Sequence, residues 1–355
     1  MQIRCPNCND TTDFKAEDTL VDVICPKCSS SFSLVNDVDA TIIGDCHTET
    51  SGHAPVTIGN FELLSRLGTA SFGSVWKAVD RQLDRTVAVK LPVWGQLDSA
   101  QKESFFREAR RCPAQLSHPG IVSVYEVGQH DESVYIVSEF IDGPTLGEWF
   151  AAQRCSVREA VELCVRLTTA LQAAHDHGVI HRDLKPANVL LDSDGRPHIA
   201  DFGMARREVG EVTMTIDGQI MGTPAYMSPE QAGGLSHQAD RRADVYSLGV
   251  ILFELMTGEK PFRGNVQMLI AQVLREPPPA PSRLNGSIPP DVETICLKCL
   301  EKDPARRYES AAALEEDLQA WLDGRPVKAR PVGAAGKLFR GSQRKPVIAG
   351  ASGIV

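Results

Sequence analysis

Eight residues, His181-Arg182-Asp183-Leu184-Lys185-Pro186-Ala187-Asn188, constrain this chain more than any other stretch. They hold a carboxylate, two cations and an amide between apolar segments, with Val189-Leu190-Leu191 directly after them. A bare H-R-D tripeptide reads as a polar surface loop, but the full octet carries chemistry. Phosphoryl transfer from a nucleotide needs a carboxylate to orient the attacking hydroxyl, a cation against phosphate charge and an amide oxygen for a metal. Asp183, Lys185 and Asn188 supply these in that order.

Further motifs stand around the octet in a fixed order. Leu67-Gly68-Thr69-Ala70-Ser71-Phe72-Gly73-Ser74-Val75 follows a strand-like run and places glycine at both ends of a turn, where backbone N–H groups can approach phosphate without Cβ interference. Val87-Ala88-Val89-Lys90 is an apolar strand ending in a cation, and a predicted helix from Ser99 to about Arg111 carries Glu108. Val122–Gln129 and Val134–Ser138 read as strands, and Glu139-Phe140-Ile141 follows. Val157 to His177 shows helical spacing in Val161, Leu163, Cys164, Leu167 and Leu171. His175 and His177 sit at its end, where the helix dipole accounts for them. Asp201-Phe202-Gly203 lies thirteen residues past Asn188, and Ser228-Pro229-Glu230 closes the following segment. Asp244-Val245-Tyr246-Ser247-Leu248-Gly249 opens an apolar helix to about Thr257. Predicted helices near Asp291–Leu300 and Ala311–Leu322 finish the region.

Taken together, these motifs resemble those of the eukaryotic-like Ser/Thr protein kinases, specifically the bacterial branch, over roughly residues 57 to 322. The resemblance implies an α+β, two-lobed protein kinase fold, a small antiparallel-sheet lobe on a larger helical one, and transfer of the ATP γ-phosphate to protein Ser/Thr hydroxyls. It implies Asp183 as catalytic base, Lys185 near the transferred phosphate, and Asn188 and Asp201 as ligands of Mg2+, with Mn2+ as an alternative. It also implies Lys90 on the α/β phosphates, with Glu108 as its partner. Gly68, Ala70 and Gly73 cover the phosphates; Val75, Ala88 and Leu190 surround the adenine; the Glu139 carbonyl and the Ile141 N–H face its edge. Asp244 is expected on the backbone of the catalytic loop, and Glu230 on Arg307. Ala70 departs from the family's G-x-G-x-x-G, and a strained backbone there would cost on the order of 1 kcal/mol. The D-L-K-P-x-N run points to Ser/Thr rather than Tyr acceptors. Arg182 is a cation the family pairs with a phosphate on the activation segment, and Thr213 and Thr215 are the hydroxyl residues between Gly203 and Gly222.

Outside that region the chain changes character. Cys5-Pro6-Asn7-Cys8 and Cys25-Pro26-Lys27-Cys28, sixteen residues apart, have the spacing of two knuckles closing one tetrahedral Zn2+ site, so residues 1–34 read as a small zinc ribbon. Residues 35–56 read as a flexible linker in which Cys46, His47 and His53 stay unassigned. Cys296 and Cys299 repeat the C-x-x-C spacing inside a helical pattern and read as packing. Residues 323–355 lose their acidic residues and gather Arg325, Lys328, Arg330, Lys337, Arg340, Arg344 and Lys345 before a short apolar end. That end is shorter than the ~20 residues a spanning helix needs, so it is either the start of a membrane helix or a disordered tail. The first residues lack an apolar signal-peptide core, so a cytoplasmic location is expected, as the cytosolic part of a membrane-anchored kinase.

The formal net charge of -9 argues against coating nucleic acid by bulk electrostatics. Expected partners are protein substrates, a second kinase copy for trans-autophosphorylation, and a membrane surface at the basic tail. A pseudokinase scaffold is the alternative that Ala70 alone supports, and partner recognition through the ribbon is a third.

Overall fold

The computed structural model describes residues 2–4, 11–13, 23–24, 31–32, 56–70, 73–92, 116–130, 133–202 and 224–329. The chain divides into two units, Met1–Ala54 and Pro55–Val355. In the first, β1 (Gln2–Arg4) pairs antiparallel with β2 (Thr11–Asp13), and β3 (Val23–Ile24) with β4 (Ser31–Phe32). The four paired cysteines fall by number between the strands of these two hairpins and lie outside the described residues, as do Glu108, Thr213, Thr215 and the basic tail from residue 330 on.

The second unit begins with an antiparallel sheet. Its strands are β5 (Thr57–Ile58), β6 (Phe61–Ala70), β7 (Gly73–Asp80), β8 (Arg85–Pro92), β9 (Val124–His130) and β10 (Ser133–Glu139), in the order β5-β6-β7-β8-β10-β9. The period of two explains its core: Val87 and Val89 turn one way to meet Phe61, Leu63, Ala78, Tyr135 and Val137. Ala88 and Lys90 turn the other way. Tyr135 lies over Gly128 so closely that a Cβ there would meet its ring, and its hydroxyl donates to Glu126 Oε1 at 2.7 Å.

Past the sheet the chain becomes helical. A Thr145/Glu148 capping box starts α1 (Leu146–Ala152) and a Ser156/Glu159 box starts α2 (Val157–Asp176). The apolar stripe of α2, from Ala160 and Val161 through Cys164 and Leu167 to Leu171, is buried as its spacing predicts, although Leu163 packs only at the margin. The short strands β11 (Val189–Leu191) and β12 (Pro197–Ile199) follow, then α3 (Pro229–Ala232), α4 (Arg242–Thr257), α5 (Val266–Arg275), α6 (Pro290–Cys299) and α7 (Ala311–Leu322).

Of the 16 residues of α4, 13 are buried, which makes it the axis of this lobe rather than an amphipathic surface helix. It starts at Arg242, two residues before the expected Asp244, because Asp240 Oδ1 accepts the Arg242 N–H and fixes the entry turn. Cys296 and Cys299 are fully buried core residues of α6. The packed lobe runs past the expected edge at Leu322: buried Asp317 accepts the Lys328 and Ala329 N–H groups at 2.7 and 2.8 Å and the Tyr308 hydroxyl at 2.8 Å. Among the described residues no helix is long and apolar enough to cross a membrane.

Candidate active site

The octet forms a loop between α2 and β11, held from beneath by one carboxylate. Asp244, at the N-terminal end of the buried α4, has no solvent exposure; its Oδ2 accepts the His181 N–H at 2.9 Å and its Oδ1 the Arg182 N–H at 2.8 Å. These two bonds hold Arg182 in a left-handed conformation, φ +67°. Gln231 holds the following peptide by donating to the Arg182 carbonyl at 2.7 Å. Burial pushes the Asp244 carboxyl up, but its contacts with His175, His181 and the Arg182 amide outweigh that and hold it below the usual carboxylate range. His175 is therefore more than a helix-end residue: its Nε2 lies 2.8 Å from Asp244 Oδ2.

On the cleft side of the loop, Lys185 Nζ donates to Asp183 Oδ2 at 2.7 Å. Asn188 Nδ2 donates to the Asp183 carbonyl at 2.8 Å and to its Oδ2 at 3.1 Å, which leaves the Asn188 Oδ1 as an acceptor. Asp183 keeps a third of its side chain exposed (33%). His181 is a spacer: its Nδ1 accepts the Asp183 N–H at 3.2 Å, so its Nε2 carries the proton toward the Ala200 carbonyl at 2.8 Å. Its ring also meets Phe202 edge-on at 4.8 Å.

That contact brings Asp201 into position. Asp201 is also left-handed, φ +62°, and its Oδ2 lies 2.9 Å from Lys90 Nζ across the cleft. Burial pushes its carboxyl up, while Lys90, His181 and Lys185 together hold it below the usual range, so it stays a carboxylate. The Asn188 Oδ1 and this carboxylate are hard oxygen donors of the kind Mg2+ takes, and they fit that ion.

The remaining expected residues fall around the cleft. Gly68 pairs with Val75 in the β6–β7 hairpin, and Gly73 takes φ +149°, open to glycine. Ala70 ends β6 opposite Gly73 in extended strand pairing, a conformation alanine adopts freely, so the expected backbone strain at Ala70 is absent. Val75, Ala88 and Leu190 are all half-buried, consistent with an open face between the lobes. Glu139 turns its carboxylate onto the Ser123 N–H at 3.3 Å, and Ile141 is buried. Gly143 lies against the Leu191 carbonyl so closely that any Cβ would collide with it. Glu230 and Arg307 form a two-pronged pair at 2.8 and 2.7 Å, as expected.

Sheet lobe, helical lobe and this residue set define the two-lobed protein kinase class. The chain belongs to the protein kinase domain family, whose pattern matches residues 61–318. It is 42% identical over 282 residues to the probable serine/threonine-protein kinase SCO3848 of Streptomyces coelicolor, covering 76% of this chain and 41% of that protein. Similarity to serine/threonine-protein kinase PrkC of Bacillus subtilis is 38% over 271 residues, covering 75% and 41%. The crystal structure of the Mycobacterium tuberculosis PknI kinase domain superposes with a TM-score of 0.60 at 26% identity, covering 76% of this chain and 99% of that one. The chain thus spans less than half the length of SCO3848 and PrkC.

Proposed function

We propose that this chain is a Ser/Thr protein kinase that moves the γ-phosphoryl group of ATP to protein hydroxyls. One observation carries this: Asp183, Lys185 and Asn188 are hydrogen-bonded into one cluster, and the Lys90–Asp201 pair faces it across the cleft. Asp183 orients the substrate hydroxyl and takes its proton as the oxygen–phosphorus bond forms and the bond to the β–γ bridging oxygen breaks, releasing ADP. Lys185 balances charge on the phosphoryl group in flight. Lys90 steadies the α and β phosphates, with Glu108 as its further partner. Val75, Ala88 and Leu190 hold the adenine, and the Glu139 carbonyl and Ile141 N–H meet its edge. Asn188 and Asp201 would hold Mg2+, which neutralises phosphate charge when bound. The choice of Ser/Thr acceptors is supported by the Asp183–Asn188 run and by the likeness to two serine/threonine-protein kinases. Asp183→Asn tests the assignment: turnover falls by about 10²–10⁴-fold while ATP binding persists. Equal loss of both would overturn it.

Regulation follows from the same loop. Thr213 and Thr215 are the proposed autophosphorylation sites, and Arg182 is the cation that would receive the phosphate. A second copy would serve as the trans-acting kinase. Full activity of the Thr213→Ala/Thr215→Ala double variant would defeat this switch. At the N-terminus, each C-x-x-C pair falls by number within one of two short antiparallel hairpins, which supports a Zn2+ site of Cys5, Cys8, Cys25 and Cys28. The basic residues of 323–355 are proposed to contact anionic lipid, as the cytosolic side of a membrane-anchored kinase.

A further inference from the structure

Three capping boxes start helices among the described residues, and one of them differs from the others. The boxes of α1 and α2 pair Thr145 with Glu148 and Ser156 with Glu159, and both glutamates are exposed. The box of α3 pairs Ser228 with Gln231, and here both partners are buried, at 0% and 1% exposure. Either glutamate or glutamine completes a capping box, because only a side-chain oxygen has to reach the cap. What glutamine adds is a donor.

The neighbours fix which way that amide faces. The Ser228 N–H can only donate, so the atom 3.1 Å from it is Gln231 Oε1, which the Ser228 hydroxyl also meets at 3.0 Å. The Arg182 carbonyl can only accept, so the atom 2.7 Å from it is Nε2. A glutamate here would serve Ser228 equally well and set an oxygen against that carbonyl. The carbonyl belongs to the peptide that leads into Asp183, and the N–H of the same peptide donates to His181 Nδ1 at 3.2 Å. Among the described residues, the Asp183 carboxylate is met by Lys185 and Asn188, both from its own loop. They move with it. Gln231 instead reaches the loop from α3, where the adjacent Glu230 is clamped by Arg307 at 2.8 and 2.7 Å. The left-handed backbone at Arg182 is unfavourable for a residue with a side chain, so the loop relaxes when a restraint is taken away.

We infer that Gln231 is a positioning residue for phosphoryl transfer: its amide, donated from α3 to the Arg182 carbonyl, sets the orientation of the peptide that carries Asp183. The inference rests on the proposed role of Asp183 as base. Gln231 acts through that peptide and takes no part in the bond changes themselves.

The test is a double-variant cycle on the full chain with Mg2+. Phosphate from radiolabelled ATP is counted on dephosphorylated casein and on the chain itself, with kcat and KM for ATP fitted separately and melting curves recorded for every variant. Gln231→Glu keeps the oxygen for Ser228 and removes the donor. Gln231→Met removes both without adding charge, and it carries the cycle where the glutamate variant fails to fold. Each should lower kcat about 10- to 100-fold with KM for ATP within about twofold of wild type, the scale of a small misplacement of a reacting group. In the Asp183→Asn background, whose own loss is about 10²–10⁴-fold, either change should lower the rate no more than about twofold further. A lobe that is only loosened would lose rate equally in both backgrounds. Full additivity with Asp183→Asn, a loss carried by KM, or a kcat within about twofold of wild type in a folded Gln231 variant would each overturn the inference. An unchanged rate in Asp183→Asn alone would instead fault the reading of Asp183 as base, so the two failures are told apart.

Discussion

Replacing Glu230 by glutamine measures how far the helical lobe depends on one buried ion pair. The Arg307 side chain has no exposed surface (0%) and spends its donors on five acceptors. Two are the Glu230 oxygens, at 2.8 and 2.7 Å; the others are the carbonyls of Glu301, Arg242 and Lys302, at 2.8, 3.1 and 3.1 Å. Glutamine keeps the side-chain length and one oxygen, but it leaves a buried guanidinium that cannot shed its proton. Removing one partner of such a pair costs about 3–5 kcal/mol, and the 12% residual exposure of Glu230 points to the lower end, about 3 kcal/mol. At roughly 2–4 °C per kcal/mol for a domain of this size, Tm should fall by about 6–12 °C at pH 7.5.

The pH dependence is a second check. Burial pushes the Glu230 carboxyl up, but Arg307 outweighs it, so the folded value lies below the ordinary 4.5. A lowered folded pKa gives stability that is complete above the unfolded value and lost as pH falls through the folded one. The gap between wild type and E230Q should therefore hold steady from pH 8 to about 5.5 and narrow in stronger acid. Scanning calorimetry of both chains without nucleotide reads both effects. A Tm loss under about 2 °C, or a gap indifferent to acid, would refute the reasoning.

Lys90→Met should lower phosphotransfer by about 10²–10³-fold in a radiolabel assay, since it removes the charge proposed to meet the phosphates. Near-normal transfer would detach this lysine from the nucleotide. Gly143→Ala drives a methyl group into the Leu191 carbonyl, so it should cost about 1–3 kcal/mol in denaturant unfolding; an unchanged midpoint would mean the close approach is relaxed at no cost. The Met1–Ala54 unit should bring one zinc per chain, measured by elemental analysis, and the Cys5→Ser/Cys25→Ser variant should bring none. Stoichiometric zinc in that variant would place the ion elsewhere.

What the sequence made legible is what its chemistry made dense. The octet, Asp201, Lys90 and the Glu230–Arg307 pair combine charged and polar residue types at fixed spacing; the structure gathers Asp183, Lys185 and Asn188 and joins Glu230 to Arg307, while Lys90 meets Asp201 and its expected partner Glu108 lies outside the described residues. Burial was legible in α2 and α4, where the apolar period is long. Three features were not. His175 belongs to Asp244, 69 positions away, and nothing near it in sequence distinguishes that pairing from an ordinary helix end. Gln231 holds the Arg182 carbonyl, yet by local pattern it is a helix residue that completes a cap with Ser228. The docking of Lys328 and Ala329 on Asp317 depends on a carboxylate that is buried only after α7 has packed, so the basic composition there suggested an edge seven residues too early. The expected strain at Ala70 was displaced in a similar way: strand pairing, not residue type, sets the backbone at that point.

Among the described residues, left-handed backbone does occur outside glycine at the turn residue Asp84 and, beside the proposed chemistry, at Arg182 and Asp201. A left-handed conformation costs a non-glycine residue roughly 1–2 kcal/mol, so it persists only where its surroundings hold it. At Arg182 the restraint is complete: the N–H is taken by Asp244 and the carbonyl by Gln231, from α4 and α3 respectively. Asp201 is reached through His181, which ties the Ala200 carbonyl on one side and the Asp183 amide on the other. Asp183, the proposed base, and Asp201, the proposed metal ligand, are thus both tied to one imidazole, and that imidazole's backbone is fixed by Asp244. The geometry of the cleft is in this sense a property of the buried helix beneath it.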